Sequence, residues 1–157
     1  MFLVGTTLPE PAPGRPPPPL FTIGYEGKTL PEFVGELAAA KVSLVIDVRA
    51  IAASRRPGFS KTALSGALRE AGIDYLHLRA LGTPKAGRDA ARRGRTREMR
   101  EIYAVQLATP EAELALAQLE AAALERPSAL LCYEARAGGC HRAVIAERMT
   151  GFTSIDL

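Results

Sequence analysis

The apolar positions of this chain fall into short continuous runs that alternate with stretches of helical spacing. "LFTIG" (20–24) is a brief apolar run closed by glycine and predicts a first strand. In "GKTLPEFVGELAAAK", Thr29 and Glu32 stand at capping-box spacing, Pro31 lies in the first turn, and Phe33, Val34 and Leu37 share a face, so a helix follows. "VSLVIDVRA" (42–50) is apolar without a break over Leu44 to Ile46, as in a strand covered on both sides. Ser60 opens a helix through "KTALSGALREAG", which Gly72 stops. "IDYLHL" (73–78) alternates and predicts a third strand.

Residues 79 to 95 are rich in arginine and poor in apolar positions, which predicts a long loop. "TREMREIYAVQLA" is helical, and Thr109 with Pro110 begins another helix through Leu124. "SALLCYE" (128–134) predicts a fourth strand, "ARAGG" a loop, "CHRAVIAERM" a last helix and "TSIDL" a fifth, edge strand. The regular alternation implies an α/β fold: a single three-layer domain, with a mostly parallel sheet of about five strands and helices on both faces. The domain spans residues 20–157. Residues 1–19 hold seven of the twelve prolines and predict an extended, disordered tail, inert or docking through PxxP.

Composition narrows the class without naming an activity. At 157 residues, 47% apolar and 24% charged, the chain is of ordinary globular composition and long enough to bury a core unaided. Two cysteines make no disulfide framework, and no stretch reaches the roughly 18 apolar residues of a membrane span. A cytoplasmic protein is the expectation. The net charge of +3 hides an asymmetry: residues 79–100 sum to +6 and residues 49–61 to +4, leaving −7 for the remainder. Two basic segments on an acidic chain predict a positive surface facing an anionic partner.

In parallel α/β sheets, ligands sit beyond the carboxyl ends of the strands, so the residues just after each strand carry the chemistry. Here these are Tyr25 and Glu26, then Asp47, Arg49, Arg55, Arg56, Phe59 and Lys61, then His77, and finally Cys132, Glu134, Cys140, His141 and Arg142. Gly138 and Gly139 followed by a helix start predict an anion site at Cys140-His141-Arg142, with Arg142 as a forked donor. The same field would lower the pKa of Cys140. Glu26 and Asp47 are candidate acid and base, although Asp47 equally suits the orienting of Arg49. Arg55 and Arg56 suit phosphates, and Phe59 suits either stacking or core packing. Cys132, Cys140, His141 and His77 lack the short ligand pairs usual for zinc, so neither metal nor cofactor is expected. "GYEGKT" lacks the glycine spacing of a phosphate loop.

Together, "TIGYEG", "VIDVRA…SRRPGFSK", "GIDYLHLRALGTP" and "LLCYEARAGGCHRAVIAERM" resemble the domain-of-unknown-function 488 family of bacterial and archaeal proteins. The resemblance runs over about residues 21 to 157. It implies an α/β domain whose motif residues gather at one end of the sheet, and it implies no agreed reaction. Relatives often have a shorter or differently charged segment after "LGTPK", and "TSIDL" lacks the histidine common in the family's last strand. "LVIDVRA" is also similar to the corresponding strand of rhodanese-type sulfurtransferases. There the cysteine loop reaches arginine within a few residues, whereas Cys132 and Arg142 stand ten positions apart.

Three functions follow as expectations. The first is binding of a phosphate-bearing ligand, nucleotide or nucleic acid, in a basic cleft, with hydrolysis or transfer there. The second is a cysteine-dependent sulfur or phosphoryl transferase using Cys140 or Cys132. The third is a non-catalytic protein-interaction domain.

Overall fold

The computed structural model describes residues 18–134 and 140–157. Most of the proline tail and the "ARAGG" segment lie outside those residues. Five strands form one parallel sheet: β1 (Pro19–Gly24), β2 (Leu44–Asp47), β3 (Asp74–His77), β4 (Ser128–Cys132) and β5 (Thr153–Asp156), in the order β3-β2-β4-β1-β5. Among the described residues six helices accompany them: α1 (Leu30–Ala39), α2 (Lys61–Glu70), α3 (Lys85–Arg92), α4 (Thr96–Leu107), α5 (Pro110–Glu125) and α6 (His141–Arg148).

Side-chain alternation along the central strands sorts the core into two layers. Ile23, Val45 and Leu131 face α1 and α2, where Phe33, Leu37, Leu64 and Leu68 cover them. Leu20, Ile46 and Leu130 face the other way, against Met99, Tyr103, Leu107, Leu119 and Ile145 from α4, α5 and α6. The crossovers β1→β2→β3 run toward one edge of the sheet, and β3→β4→β5 run back. Crossovers of a single hand then place their helices on opposite faces. Among the described residues, no helix is long and apolar enough to cross a membrane.

Local chemistry accounts for most element ends. Thr29 and Glu32 form the reciprocal capping box, and Thr109 accepts from the Ala112 amide at the start of α5. Gly72 takes φ +76° just beyond α2, where a side chain would be strained. Ser60 stands at the N-cap of α2 but does not cap it; its hydroxyl exchanges hydrogen bonds with the Ser54 backbone instead.

The arginine-rich stretch differs from the expected long loop. It folds as a 3-10 turn (Arg79–Leu81) followed by α3. Only Gly87 and Ala90 of α3 are buried, so its helical period is carried by small residues set against Lys85, Arg88 and Arg92, with no large apolar side chain to mark it. Gly82 lets this segment dock: a Cβ there would overlap the backbone of Ala50, in the loop after β2. Tyr103 Oη donates to the Leu81 carbonyl at 2.6 Å and Gln106 Nε2 to that of Ala80 at 2.9 Å, tying α4 to the turn.

Candidate functional site

The strand register brings Gly24 beside Cys132, and Asp47 beside Leu131, so the three central strands end together. Past those ends the chain leaves β2 and β1 toward α2 and α1 on one face, and β4 toward α6 on the other. That divergence opens a crevice. A cavity of about 620 Å³ occupies it, lined by residues following β1, β2 and β4 and by α3. Its walls carry Arg49, Arg55, Arg88 and Arg92, against Glu26 and Glu134.

Sulfur and imidazole meet at one side of this cavity. Cys132 ends β4 and Cys140 is the N-cap of α6, its Sγ accepting from the Arg142 amide at 3.5 Å. The two sulfurs stand 2.8 Å apart, beyond the length of a disulfide, which is about 2.05 Å. His141 is 7% exposed, with Nδ1 at 3.5 Å from Cys140 Sγ and 3.7 Å from Cys132 Sγ. Its Nε2 lies 2.7 Å from the Val48 carbonyl, which can only accept, so the neutral ring carries its proton there and turns a bare Nδ1 toward the thiols. Tyr103 packs edge-on against the ring at 5.4 Å. Glu134 Oε2 approaches Cys132 Sγ at 2.6 Å.

Burial pushes the Cys132 thiol well above its ordinary range, and contact with Cys140 and Glu134 adds to the effect. For Cys140, burial alone would raise the pKa, but hydrogen bonds to its thiolate from Cys132 and from the protonated form of His141, with the charge of that imidazolium and of Arg142, bring it well below the usual value. Burial likewise opposes charge on His141, yet the Cys140 sulfur and the Val48 carbonyl raise its pKa overall. Burial raises the Glu134 carboxyl. Free of any ligand, the cluster therefore favours one thiolate, on Cys140.

A second polar cluster lies on the opposite face. Asp47 is fully buried; its Oδ1 accepts from Arg49 Nε at 2.9 Å and the Arg49 amide at 3.1 Å, and its Oδ2 accepts from Arg49 NH2 at 2.7 Å and from Tyr75 Oη. Arg49 also donates to the Phe59 carbonyl at 2.7 Å and reaches Tyr25 Oη at 3.4 Å. Burial alone would lower the Arg49 pKa; the Asp47 bonds outweigh it and raise it. His77 Nε2 lies 2.8 Å from the Arg49 carbonyl. Two histidines thus hold neighbouring carbonyls, of Val48 and Arg49, in the segment that forms the cavity wall.

The family model described as Domain of unknown function DUF488 matches residues 29–149, more than half of the chain and all three of the Cys132, Cys140 and His141 positions. The chain belongs to the DUF488 family. No curated protein and no solved structure matches it.

Within this DUF488 chain the predicted residues separate into three groups. Tyr25, Glu26, Arg49, Arg55, Glu134, Cys140 and His141 line the cavity together. Asp47 does not reach it: its oxygens are taken by Arg49 and Tyr75, so of its two readings the geometry selects the orienting of Arg49. Phe59 is 1% exposed and stacks on Tyr25 at 4.5 Å, so it plugs the core and offers no free ring face. Arg142, expected to present a fork to a ligand, is fully buried; NH2 donates to the Glu134 carbonyl and NH1 lies 3.8 Å from Asp156 Oδ1. Arg56 donates to the Lys28 carbonyl, and Lys61 is exposed at the start of α2, away from the cavity lining.

Sequence reasoning missed Arg88, Arg92 and Thr83 as wall residues and Tyr103 as the support of His141. The i,i+4 spacing of Arg88 and Arg92 was the available signal, since it puts both on one side of a helix.

Proposed function

We propose that the cavity binds a phosphate-bearing small molecule of nucleotide size. One observation carries this reading: arginines from two separate segments, Arg55 after β2 and Arg88 with Arg92 on α3, converge on one cavity. Guanidinium forks match phosphate oxygens, and a volume of about 620 Å³ lies within the range of roughly 300–1,000 Å³ typical of small-ligand sites. The volume favours a small ligand over a polymer. Arg49 is committed to Asp47 and Arg92 pairs with Asp89 at 3.3 Å, while Arg88 spends one nitrogen on the Thr83 carbonyl at 2.8 Å and keeps the rest of its fork, so Arg55 and Arg88 are the principal anion contacts.

Thermal unfolding against inorganic phosphate, pyrophosphate, nucleotides and short single-stranded DNA tests this reading. A ligand at about a hundredfold excess over its Kd stabilises by about 2.7 kcal/mol, or about 5–10 °C for a domain of this size. The shift should appear with phosphate-bearing small molecules and vanish in the Arg55→Ala/Arg88→Ala double variant. Absence of a shift with every ligand, or the same shift in that variant, overturns it. Binding of DNA alone, falling steeply with salt, would replace the pocket reading with a polymer surface.

A second reading has its own observation. Cys140 lines the cavity, and its lowered pKa suits a nucleophilic thiolate in group transfer. In chelator-treated protein, iodoacetamide should label one thiol rapidly at neutral pH, and Cys140→Ser should remove that phase. Equal labelling rates in parent and variant would exclude Cys140 as the activated thiol.

A further inference from the structure

Cys132, Cys140 and His141 come from two elements that meet only through the fold. Their Sγ, Sγ and Nδ1 atoms all lie within 4.8 Å of one another, and all three residues are buried. A tetrahedral zinc with bonds of about 2.3 Å to sulfur and about 2.0 Å to nitrogen requires sulfur–nitrogen separations of about 3.5 Å and a sulfur–sulfur separation of about 3.8 Å. The observed sulfur–nitrogen distances are 3.5 and 3.7 Å. The sulfurs, at 2.8 Å, would part by about 1 Å to admit the ion at that geometry.

Support for the ligands has the same character. Metal-bound histidines normally donate their second ring nitrogen to a carbonyl or carboxylate, which fixes the tautomer and aims the ring. His141 does this with the Val48 carbonyl, and Tyr103 packs on the ring from the side. Glu134 stands against Cys132 Sγ on the cavity side. Thiolate and imidazole donors select zinc over the hard cations magnesium and calcium.

We propose that Cys132, Cys140 and His141 bind a zinc ion through Sγ, Sγ and Nδ1. The fourth coordination position opens on the cavity, where water or the carboxylate of Glu134 completes the shell. Three protein ligands plus an open position is the arrangement of catalytic rather than structural zinc. Binding requires both sulfurs and Nδ1 to be free of protons, so any proton they carry passes to solvent, and the ion neutralises the thiolate pair, which leaves a zinc-loaded site with no free nucleophilic cysteine. The proposal does not depend on the phosphate reading, because its test contains no phosphate.

Metal content of the full-length protein purified under reducing conditions should be one zinc per chain. Chelated protein titrated with cobalt(II) should develop visible d–d bands of tetrahedral intensity and thiolate-to-cobalt charge transfer in the near ultraviolet. Zinc should abolish both, and Cys132→Ser, Cys140→Ser and His141→Ala should each lose the stoichiometric metal. Because those variants can also fail to fold, the cobalt titration of the unmutated chain stands as the independent measurement. Failure of the cobalt bands while both thiols titrate as free would overturn the proposal. So would thiols that are absent before reduction and recovered after it, since the cluster would then be a disulfide pair.

Discussion

Asp47 illustrates how a single buried charge is retained. Its carboxylate takes three hydrogen bonds from Arg49 and one from Tyr75 in a fully buried position, and Arg49 is itself only 6% exposed. Removing one partner of such a pair leaves the other as an uncompensated buried charge, at a cost of about 3–5 kcal/mol. Asp47→Ala should therefore lower the free energy of unfolding in urea by that amount, a large share of a domain's total. A loss below about 1 kcal/mol would show that Arg49 finds another partner or water, and that the pair does not hold the wall. The types of these residues were legible in sequence, but their partners were not. "IDVR" shows that Asp47 and Arg49 are close along the chain, while Tyr75, Tyr25 and the Phe59 carbonyl join them only through the sheet.

Among elements, the docking of the 3-10 turn and α3 onto the loop after β2 sets the cavity wall. Gly82 is the contact point, where any Cβ would overlap Ala50. Gly82→Ala should destabilise by about 1–3 kcal/mol through overpacking and should push Thr83 and α3 outward. Gly35, exposed in the middle of α1 with open space around its Cα, is the control: Gly35→Ala should stabilise by about 0.5–1 kcal/mol. Paired urea denaturation curves check both signs. Equal effects from the two substitutions would remove the close-approach account of Gly82. α3 was hard to read because its helical period sets Lys85, Arg88, Asp89 and Arg92 against the small residues Gly87, Ala90 and Ala91, and no large apolar side chain marks its buried face. The contact of Gly82 with Ala50, the approach of Gly87 to Ile102 and the bonds from Tyr103 and Gln106 to the preceding turn arise only through the fold. β1, β2, β4 and the capped helices were legible for the opposite reason. Their apolar runs and capping residues are local signals, and β5 falls within "TSIDL", where a fifth, edge strand was expected.

At the scale of the whole molecule, topology explains why the chemistry gathers where it does. Central strands β2, β4 and β1 end together while their following helices part to opposite faces, so the Asp47–Arg49 cluster forms on the α1–α2 side and the thiol–imidazole cluster on the α4–α6 side. The cavity lies between the elements that carry them, with cationic side chains supplied by Arg55, Arg88 and Arg92. Sequence showed that polar residues collect at strand ends. It could not show that the cysteines, eight positions apart, meet at 2.8 Å, because spacing along the chain does not report a contact made by folding. The basic segments also divide in space. Arg55, Arg88 and Arg92 line the cavity, Arg92 while paired with Asp89 on the same helix, whereas Arg97 and Arg100 lie outside it and pair with Glu101 and Glu147 on α4 and α6.

The location of a bound anion tests the central claim most directly. Crystals of the protein soaked in tungstate, a heavy tetrahedral oxyanion that stands in for phosphate, report that location through anomalous scattering. The account predicts a tungsten peak inside the cavity, with its oxygens in hydrogen-bond reach of Arg55 and Arg88 and displaced by added phosphate. A cavity without a peak, or tungsten only beside the exposed arginines Arg93, Arg95 and Arg97, would contradict it.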